Sequence, residues 1–339
     1  MSWILNGLRK SDYLSMCFQG LELSEKFIAN TQAKAALAGF LTSGRMPHAL
    51  LLEGAAGTGK KTFALYAASL FLNDDYQKGT YEKILAGNHP DFVWVKGDGS
   101  ARSFHIDAIR EIRDSAYILP NQSDRKIYLL SDCQSMSIPA QNALLKLLEE
   151  PPLHCVLILT VDSRKSLLET IFSRCESISL FPPSVSECAA YLETEGHSKK
   201  DAAYASGLYE GNIGQCLALL SDEKRRESCD LAFDLMESVA TRRESAILIA
   251  LSPLEKDRKL FLSCLQDISE LFGYALRERY HSHTQQADTR IQKLNAVLSA
   301  KEILDIISCT KQISGNLNQN ANHTLALTQY GILLAGVFE

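Results

Sequence analysis

The sequence predicts an α/β domain built on a parallel sheet, followed by a second half that is entirely helical. In the first half, short apolar runs of strand length alternate with segments of helical periodicity. After Pro182 and Pro183 the strand-like runs stop and only helical periodicity continues. Strands that alternate with helices are typical of a parallel sheet covered by helices on both faces.

The predicted strands are rich in Val, Ile, Leu and aromatic residues, as is expected of strands buried in a parallel sheet. Apolar residues recur with helical spacing over 60–72, 106–117 and 142–150, and these helices would return the chain between parallel strands. The five strand-like runs are HALLLE (48–53), DFVWVK (91–96), KIYLL (126–130), CVLILT (155–160) and ESISLF (176–181).

The second half is predicted to be helical throughout, first in short pieces and then in longer ones. Gly207, Gly211 and Gly214 punctuate the short pieces, as expected near helix ends. The polar, Asn-rich segment 312–323 predicts a loop between two helices. The three predicted domains are an α/β domain over 1–182, a small helical domain over 183–221 and an all-α domain over 222–339.

Composition indicates which kinds of partner to expect. The 35 Lys and Arg against 40 Asp and Glu give a net charge of -5, which disfavours DNA binding by this chain alone. Nine cysteines without a CxxC spacing are typical of a reduced compartment and predict no metal site. No run approaches the ~18 apolar residues of a membrane span, and no secretory leader is recognisable. We therefore expect a cytoplasmic protein with no membrane partner; residues 1–22 have no predicted role.

The segment HALLLEGAAGTGKKT contains a glycine-rich turn between a predicted strand and a predicted helix. In a P-loop, the backbone N–H groups of such a turn hold phosphates, and a following Lys reaches the terminal phosphates. The context of strand, turn and helix favours a P-loop over an ordinary turn. The candidate nucleotide-binding residues are Gly54, Gly57, Gly59, Lys60 and Thr62.

The metal-binding half of this site departs from an active one. The residue after Lys60, whose hydroxyl should bind Mg²⁺, is Lys61, and Thr62 is turned by ~100° around the helix. The central strand ends in Ser131 and Asp132, so one carboxylate stands where two are needed for the metal and the attacking water. We expect the metal and the hydrolysis to be lost; the alternative is that Thr62 and Asp132 hold the metal in a shifted geometry.

A family resemblance is carried by MSIPAQNALLKLLEEPPLHCVLILTVDSRKSLLETIFSRCESISLFPP (136–183), whose most specific words are AQNALLKLLEEPP and SRC. This segment closely resembles the clamp-loader branch of the AAA+ ATPases, as does GNHPDF (87–92). The resemblance covers about residues 24–220. It implies a RecA-like AAA+ domain, then a helical lid domain and an all-α C-terminal collar domain through which subunits assemble.

Within that family, bacterial loaders combine motor subunits with a non-motor subunit, and this chain resembles the second kind. Motor subunits carry a hydroxyl residue where this chain has Lys61, and an Asp-Glu pair where it has Ser131 and Asp132. They also carry a sensing Arg where this chain has Gly214. Arg174 of the SRC word is retained. The resemblance implies that Arg174 acts as an arginine finger on the nucleotide of a neighbouring subunit, while Asp132 is the remnant of the acidic pair.

The resemblance also implies partners. They are the motor (tau/gamma) and delta subunits, the sliding clamp, and primer–template DNA through the assembled complex. No cofactor is required for this role, and ATP binding at the altered loop is left open. Relatives with a four-Cys zinc module carry it between the P-loop helix and the second strand, where this chain has no Cys over 71–92. The alternative function is a motor-type clamp-loader ATPase that hydrolyses ATP itself.

Overall fold

The computed structural model describes residues 27–72, 80–96, 104, 106–280, 289–318 and 321–337. The chain divides into two compact units. Unit 1 comprises Met1–Tyr191 with Asn212–Gly214, and unit 2 comprises Leu192–Gly211 with Gln215–Glu339. The three-domain division and its boundaries stay a prediction, and residues 1–22 lie outside the described residues.

Unit 1 is built on a five-stranded, fully parallel sheet in the order β2-β3-β4-β1-β5. Every residue of β3 and β4 is buried, because both strands lie inside the sheet and are covered on both faces. The predicted strands are confirmed to within two residues at each end, and the α/β fold class is confirmed. The strands are β1 Ala49–Glu53, β2 Phe92–Lys96, β3 Lys126–Ser131, β4 Cys155–Val161 and β5 Glu176–Ser179.

The helices of unit 1 bury two apolar clusters, one on each face of the sheet. Leu50 and Leu52 of β1 join the cluster that contains the first two helices, whereas Leu51 between them joins the cluster on the other face. This alternation is the period-two geometry of a strand. The helices are α1 Thr31–Ser43, α2 Lys60–Leu72, α3 Thr80–Leu85, α4 Ile106–Ala116, α5 Ile138–Glu149, α6 Glu169–Phe172 and α7 Val185–Thr194, which crosses the unit boundary.

Unit 2 is helical throughout the residues that the structure describes. The predicted loop over 312–323 is largely wrong, since a helix continues to Asn318 with Ile313 and Leu317 buried one turn apart. Its polar neighbours lie on the exposed or half-buried side. The helices are α8 Lys199–Leu208, α9 Ile213–Ser221 (its first two residues in unit 1), α10 Glu223–Ala240, α11 Glu244–Leu251, α12 Arg258–Tyr280, α13 Thr289–Val297, α14 Ala300–Asn318 and α15 His323–Gly336.

A buried polar network holds three helical segments of unit 2 together. Asp267 on α12 is 1% exposed and pairs with Arg225 on α10 at 2.6 Å. The hydroxyls of Tyr209 and Ser228 donate to the same carboxylate at 3.0 and 2.6 Å. Burial raises the pKa of Asp267 against the opposing charge of Arg225. The network is satisfied only while all of its members are present, because a lone buried charge is costly.

The eight described cysteines are free, six of them buried and two (Cys175 and Cys309) half-buried. Burial raises the pKa of Cys155, Cys175 and Cys229 to about 12. These thiols therefore behave as small apolar core groups rather than as nucleophiles. Among the helices of the described ranges, none has the length and apolarity to cross a membrane.

Candidate functional site

The predicted arrangement of strand, glycine turn and helix is present at the carboxyl end of β1. Gly57 and Gly59 have φ of +87° and +83°, a region that favours glycine. A Cβ on Gly54 would lie 2.5 Å from the carbonyl oxygen of Leu180 and 2.8 Å from Oγ1 of Thr58. The backbone therefore requires glycine at the predicted places, and α2 begins directly after the turn at Lys60.

The ammonium of Lys60, which would contact the terminal phosphates in a P-loop, is instead bound to oxygen atoms of this chain. Lys60 is 6% exposed, and its Nζ donates to the carbonyl oxygens of Gly54 and Ala55. It also pairs with Oδ1 of Asp162 at 2.8 Å. The other carboxylate oxygen of Asp162, Oδ2, accepts a hydrogen bond from Nε2 of Gln134 at 3.0 Å. An ammonium has three N–H donors, so this set of partners satisfies it without a phosphate.

Lys61 and Asp132 form an ion pair at the position predicted for the metal. Nζ of Lys61 lies 2.7 Å from Oδ2 of Asp132, with the two side chains 51% and 23% exposed. The preceding hydroxyl, Oγ of Ser131, accepts from Nε1 of Trp94 at 3.0 Å. The backbone N–H of Asp132 donates to Oγ1 of the buried Thr160, which fixes the end of β3 against β4.

These residues do not fit Mg²⁺. A magnesium ion in an ATPase needs oxygen ligands at about 2.1 Å in near-octahedral geometry, and it binds carboxylates that carry a free negative charge. Here the carboxylate of Asp132 already faces the ammonium of Lys61, and Thr62 lies half-buried at the next position of α2. A divalent ion at this place would meet the ammonium of Lys61.

A second part of unit 1, Asn212–Gly214, covers the glycine turn. Nδ2 of Asn212 donates to the carbonyl oxygen of Ala56 at 2.8 Å, and the backbone N–H of Gly214 donates to the carbonyl oxygen of Gly57 at 3.1 Å. A Cβ on Gly214 would lie 2.6 Å from Cα of Gly57. A sensing Arg, which the resemblance assigns to this position in motors, has no room here in this conformation.

A further ion pair lies at the carboxyl edge of the sheet. Glu53, the last residue of β1, accepts from the backbone N–H of Arg164 at 3.0 Å and pairs with its guanidinium at 2.8 Å. Burial opposes ionisation of Glu53, but the hydrogen bonds and charge of Arg164 lower its pKa overall. This pair ties the segment after β4 to the strand that carries the glycine turn.

Arg174 lies at the opposite end of the strands, near their amino termini, in the segment between α6 and β5. β1 and β5 are parallel with Leu50 opposite Glu176, so roughly 20 Å along the strand direction separates Arg174 from Gly54. Its guanidinium pairs with Oε1 of Glu149 at 3.0 Å and donates to the carbonyl oxygen of Thr170 at 2.9 Å. The structure therefore brings Lys60, Lys61 and Asp132 together with the turn and keeps Arg174 apart from them.

Sequence reasoning missed Asp162 and Asn212, which are the partners of the turn. Asp162 follows β4 directly, as Asp132 follows β3, and adjacent parallel strands end at the same edge of a sheet. That signal was present in CVLILTVD. Asn212 carries no such signal, because about 150 residues separate it from the turn. Glu149 and Arg164 were missed for the same reason, since their ion pairs join segments that only the folded chain brings together.

Comparison with known proteins identifies the family of this chain. A family model described as "DNA polymerase III, delta subunit" matches residues 29–184. DNA polymerase III subunit gamma of Buchnera aphidicola subsp. Acyrthosiphon pisum is 30% identical over 74% of this chain and 75% of that protein. The chain belongs to the clamp-loader family of DNA polymerase III subunits.

Other clamp-loader relatives carry more than one name. DNA polymerase III subunit delta′ of Escherichia coli K12 is 28% identical over 81% of this chain and 80% of that protein. A solved structure of a gamma subunit-related protein from Thermotoga maritima aligns with 91% of this chain at 20% identity, with a TM-score of 0.48. Delta-prime and gamma subunits thus both occur among the relatives, so these names alone do not separate a non-hydrolysing clamp-loader subunit from a motor.

Proposed function

We propose that this clamp-loader subunit is of the non-hydrolysing delta-prime type and lends Arg174 to the nucleotide of an adjacent motor subunit. The observation that carries the proposal is the ion pair between Lys61 and Asp132 at 2.7 Å. Phosphoryl transfer depends on a divalent ion that neutralises charge on the phosphates, and the carboxylate left for that ion is occupied by an ammonium.

The remaining contacts of the turn support the same proposal. Lys60 is bound to Gly54, Ala55 and Asp162, and Asn212 caps the carbonyl oxygen of Ala56. A triphosphate would have to displace these partners without help from a metal. We therefore propose that the role of the subunit requires no cofactor of its own and that the turn serves the fold.

The position of Arg174 supports an outward role. It lies across the sheet from its own glycine turn, on an accessible surface, with its side chain 37% exposed. An Arg there cannot serve the nucleotide site of its own chain, whereas it can face a neighbour. In nucleotide hydrolases with such a finger, the guanidinium stabilises transition-state charge and contributes about 10³–10⁵ in rate.

The proposed partners are those that the family implies: motor (tau/gamma) and delta subunits, with the sliding clamp and primer–template DNA engaged through the assembly. The competing candidate is an ATP-hydrolysing motor, and the gamma subunit among the relatives favours it. The two candidates differ in one property of the purified chain, which is Mg²⁺-dependent ATP turnover.

The test compares the purified chain with a loader reconstituted from this chain and its motor and delta partners. We expect no sustained ATP hydrolysis by the chain alone. In the assembly, Arg174→Ala should lower turnover at the adjacent site by about 10³-fold or more, with assembly by gel filtration unchanged. Arg110→Ala is the matched control, since Arg110 pairs with Asp107 at the surface of α4 and should leave turnover unchanged.

Two results would contradict the proposal. Unchanged turnover by the Arg174→Ala assembly would mean that the guanidinium serves no neighbour. Mg²⁺-dependent hydrolysis by the purified chain that disappears in Lys60→Ala would establish the motor candidate.

A further inference from the structure

The arginine finger candidate is held on its own subunit by two contacts. Nη2 of Arg174 lies 3.0 Å from Oε1 of Glu149, the last residue of α5, and Nη1 donates to the carbonyl oxygen of Thr170 on α6 at 2.9 Å. Both contacts turn the guanidinium back onto the surface of unit 1. A guanidinium in this position is not extended toward a partner.

The carboxylate that holds Arg174 is badly placed for the helix that carries it. Glu149 and Glu150 stand at the carboxyl end of α5, where the negative end of the helix dipole disfavours an anion. The guanidinium of Arg174 offsets this cost at Glu149. Helix stability therefore does not account for an acid at 149, and its contact with Arg174 gives it another role.

The ion pair is suited to reversible use. The side chains of Arg174 and Glu149 are 37% and 50% exposed, and exposed ion pairs are weak because water screens them. A triphosphate offers several negative oxygens and a bidentate geometry that a guanidinium prefers. The nucleotide of a neighbour would therefore draw Arg174 away from Glu149 at a small cost.

We propose that Glu149 is a positioning residue: its carboxylate holds the guanidinium of Arg174 on its own subunit and competes for this guanidinium with the nucleotide of the neighbouring subunit. This inference rests on the proposed function, since it requires that Arg174 act on a neighbouring subunit. The competition weakens the hold of the motor site on ATP and leaves the chemical step untouched once Arg174 has been released.

The experiment measures kcat and KM for Mg·ATP in the reconstituted loader. Glu149→Gln keeps the shape of the side chain and removes its charge, so we expect KM to fall about two- to fivefold at constant kcat, which corresponds to about 0.4–1 kcal/mol. Glu150→Gln is the control, because Glu150 is the neighbouring carboxylate and forms no ion pair among the described residues. In an Arg174→Ala background, Glu149→Gln should change neither constant.

The outcomes separate this inference from the proposed function. A Glu149→Gln loader with lower kcat, or with wild-type KM and kcat, overturns the positioning role of Glu149. The Arg174→Ala loader still tests separately whether Arg174 acts on the neighbouring nucleotide. A KM effect of Glu149→Gln that persists without Arg174 also overturns it, since the effect would then not pass through the guanidinium. If Arg174→Ala itself leaves turnover unchanged, the proposed function fails, and this inference fails with it.

Discussion

The ammonium of Lys61 lies 2.7 Å from the carboxylate of Asp132, and these are the two positions at which the sequence predicts that the metal contacts of a motor subunit are lost. One is the residue after Lys60, and the other follows β3. The chain therefore places the single positive charge of Lys61 where we expect a motor subunit to bind a divalent cation.

Lys61→Thr should restore a metal ligand and release Asp132. We expect binding of a non-hydrolysable ATP analogue to become dependent on Mg²⁺, with affinity about tenfold higher in Mg²⁺ than in EDTA, the scale on which a changed metal environment acts. Lys61→Arg retains the cation and is the control. Equilibrium binding of a fluorescent analogue measures both, and the absence of any Mg²⁺ dependence in Lys61→Thr would count against the charge argument.

Gly214→Ala should strain the contact between residues 212–214 and the glycine turn, because the new Cβ meets the backbone of Gly57 at 2.6 Å. We expect a loss of about 1–3 kcal/mol in the free energy of unfolding and faster amide hydrogen exchange over 54–58. Gly207→Ala is the matched control: beyond its chain neighbours and the backbone of its own helix, the new Cβ would meet no described atom within 4 Å, and α8 should gain about 0.5–1 kcal/mol. Equal behaviour of the two variants would refute the packing argument.

Asp91 is a buried carboxylate that orders the loop before β3. It accepts backbone N–H groups from Gln122 and Ser123 at 2.7 and 2.8 Å, and from Asn121. Burial opposes its ionisation, but these three donors and the charge of His89 lower the pKa of Asp91 overall. Asp91→Asn should cost about 2–4 kcal/mol at pH 7, since an amide supplies weaker acceptors and a misplaced N–H.

The pH dependence of this effect has a definite sign. The pKa of Asp91 is lower in the folded state than in the unfolded state. Its contribution to the free energy of unfolding is therefore fully present above the unfolded pKa of about 3.9, and it is lost as the pH falls through the folded pKa. The difference between wild type and Asp91→Asn should therefore shrink on acidification in urea titrations. Asp107→Asn, at a 77% exposed position, is the control and should cost under about 0.5 kcal/mol. A difference that does not vary with pH would assign the effect to packing.

Arg225→Met should destabilise unit 2 strongly, because it leaves Asp267 buried without its cation. We expect a loss of about 3–5 kcal/mol in the free energy of unfolding. Arg242→Met removes the exposed partner of Glu302 and should cost under about 1 kcal/mol. Chemical denaturation compares the two, and adding Asp267→Leu to Arg225→Met should recover part of the loss. No recovery would contradict the view that the unpaired carboxylate of Asp267 causes the loss.

The five strands could be predicted because strands buried on both faces are continuous apolar runs, and CVLILT shows this most clearly. The order that places β1 between β4 and β5 could not be predicted, since it depends on pairings between segments far apart in the chain. Helix α1 was not predicted, although Ala33, Ala36, Leu37, Phe40 and Leu41 recur with helical spacing and pack on the cluster that covers one face of the sheet. The helix over 312–318 was hidden by its polar residues, although Ile313 and Leu317 mark its buried face.

The site divides in the same way. The glycine turn, Lys60, Lys61 and Asp132 could be predicted, because their roles depend on local spacing around one strand end. Their actual partners could not, since Asp162 and Asn212 reach the turn only through the tertiary fold. A sequence shows which ligand a site has lost, whereas the structure shows which side chain has taken its place.

The burial of the cysteines gives this chain a built-in reporter of opening. With thiol pKa values near 12 in Cys155, Cys175 and Cys229, almost no thiolate exists at neutral pH in the native state. A maleimide or an aromatic disulfide reagent would then modify the buried sulfurs of Cys155 and Cys229 at the rate at which the surrounding core opens. Cys155 would register excursions of unit 1, and Cys229 those of unit 2, each read by mass spectrometry from a single labelled sample.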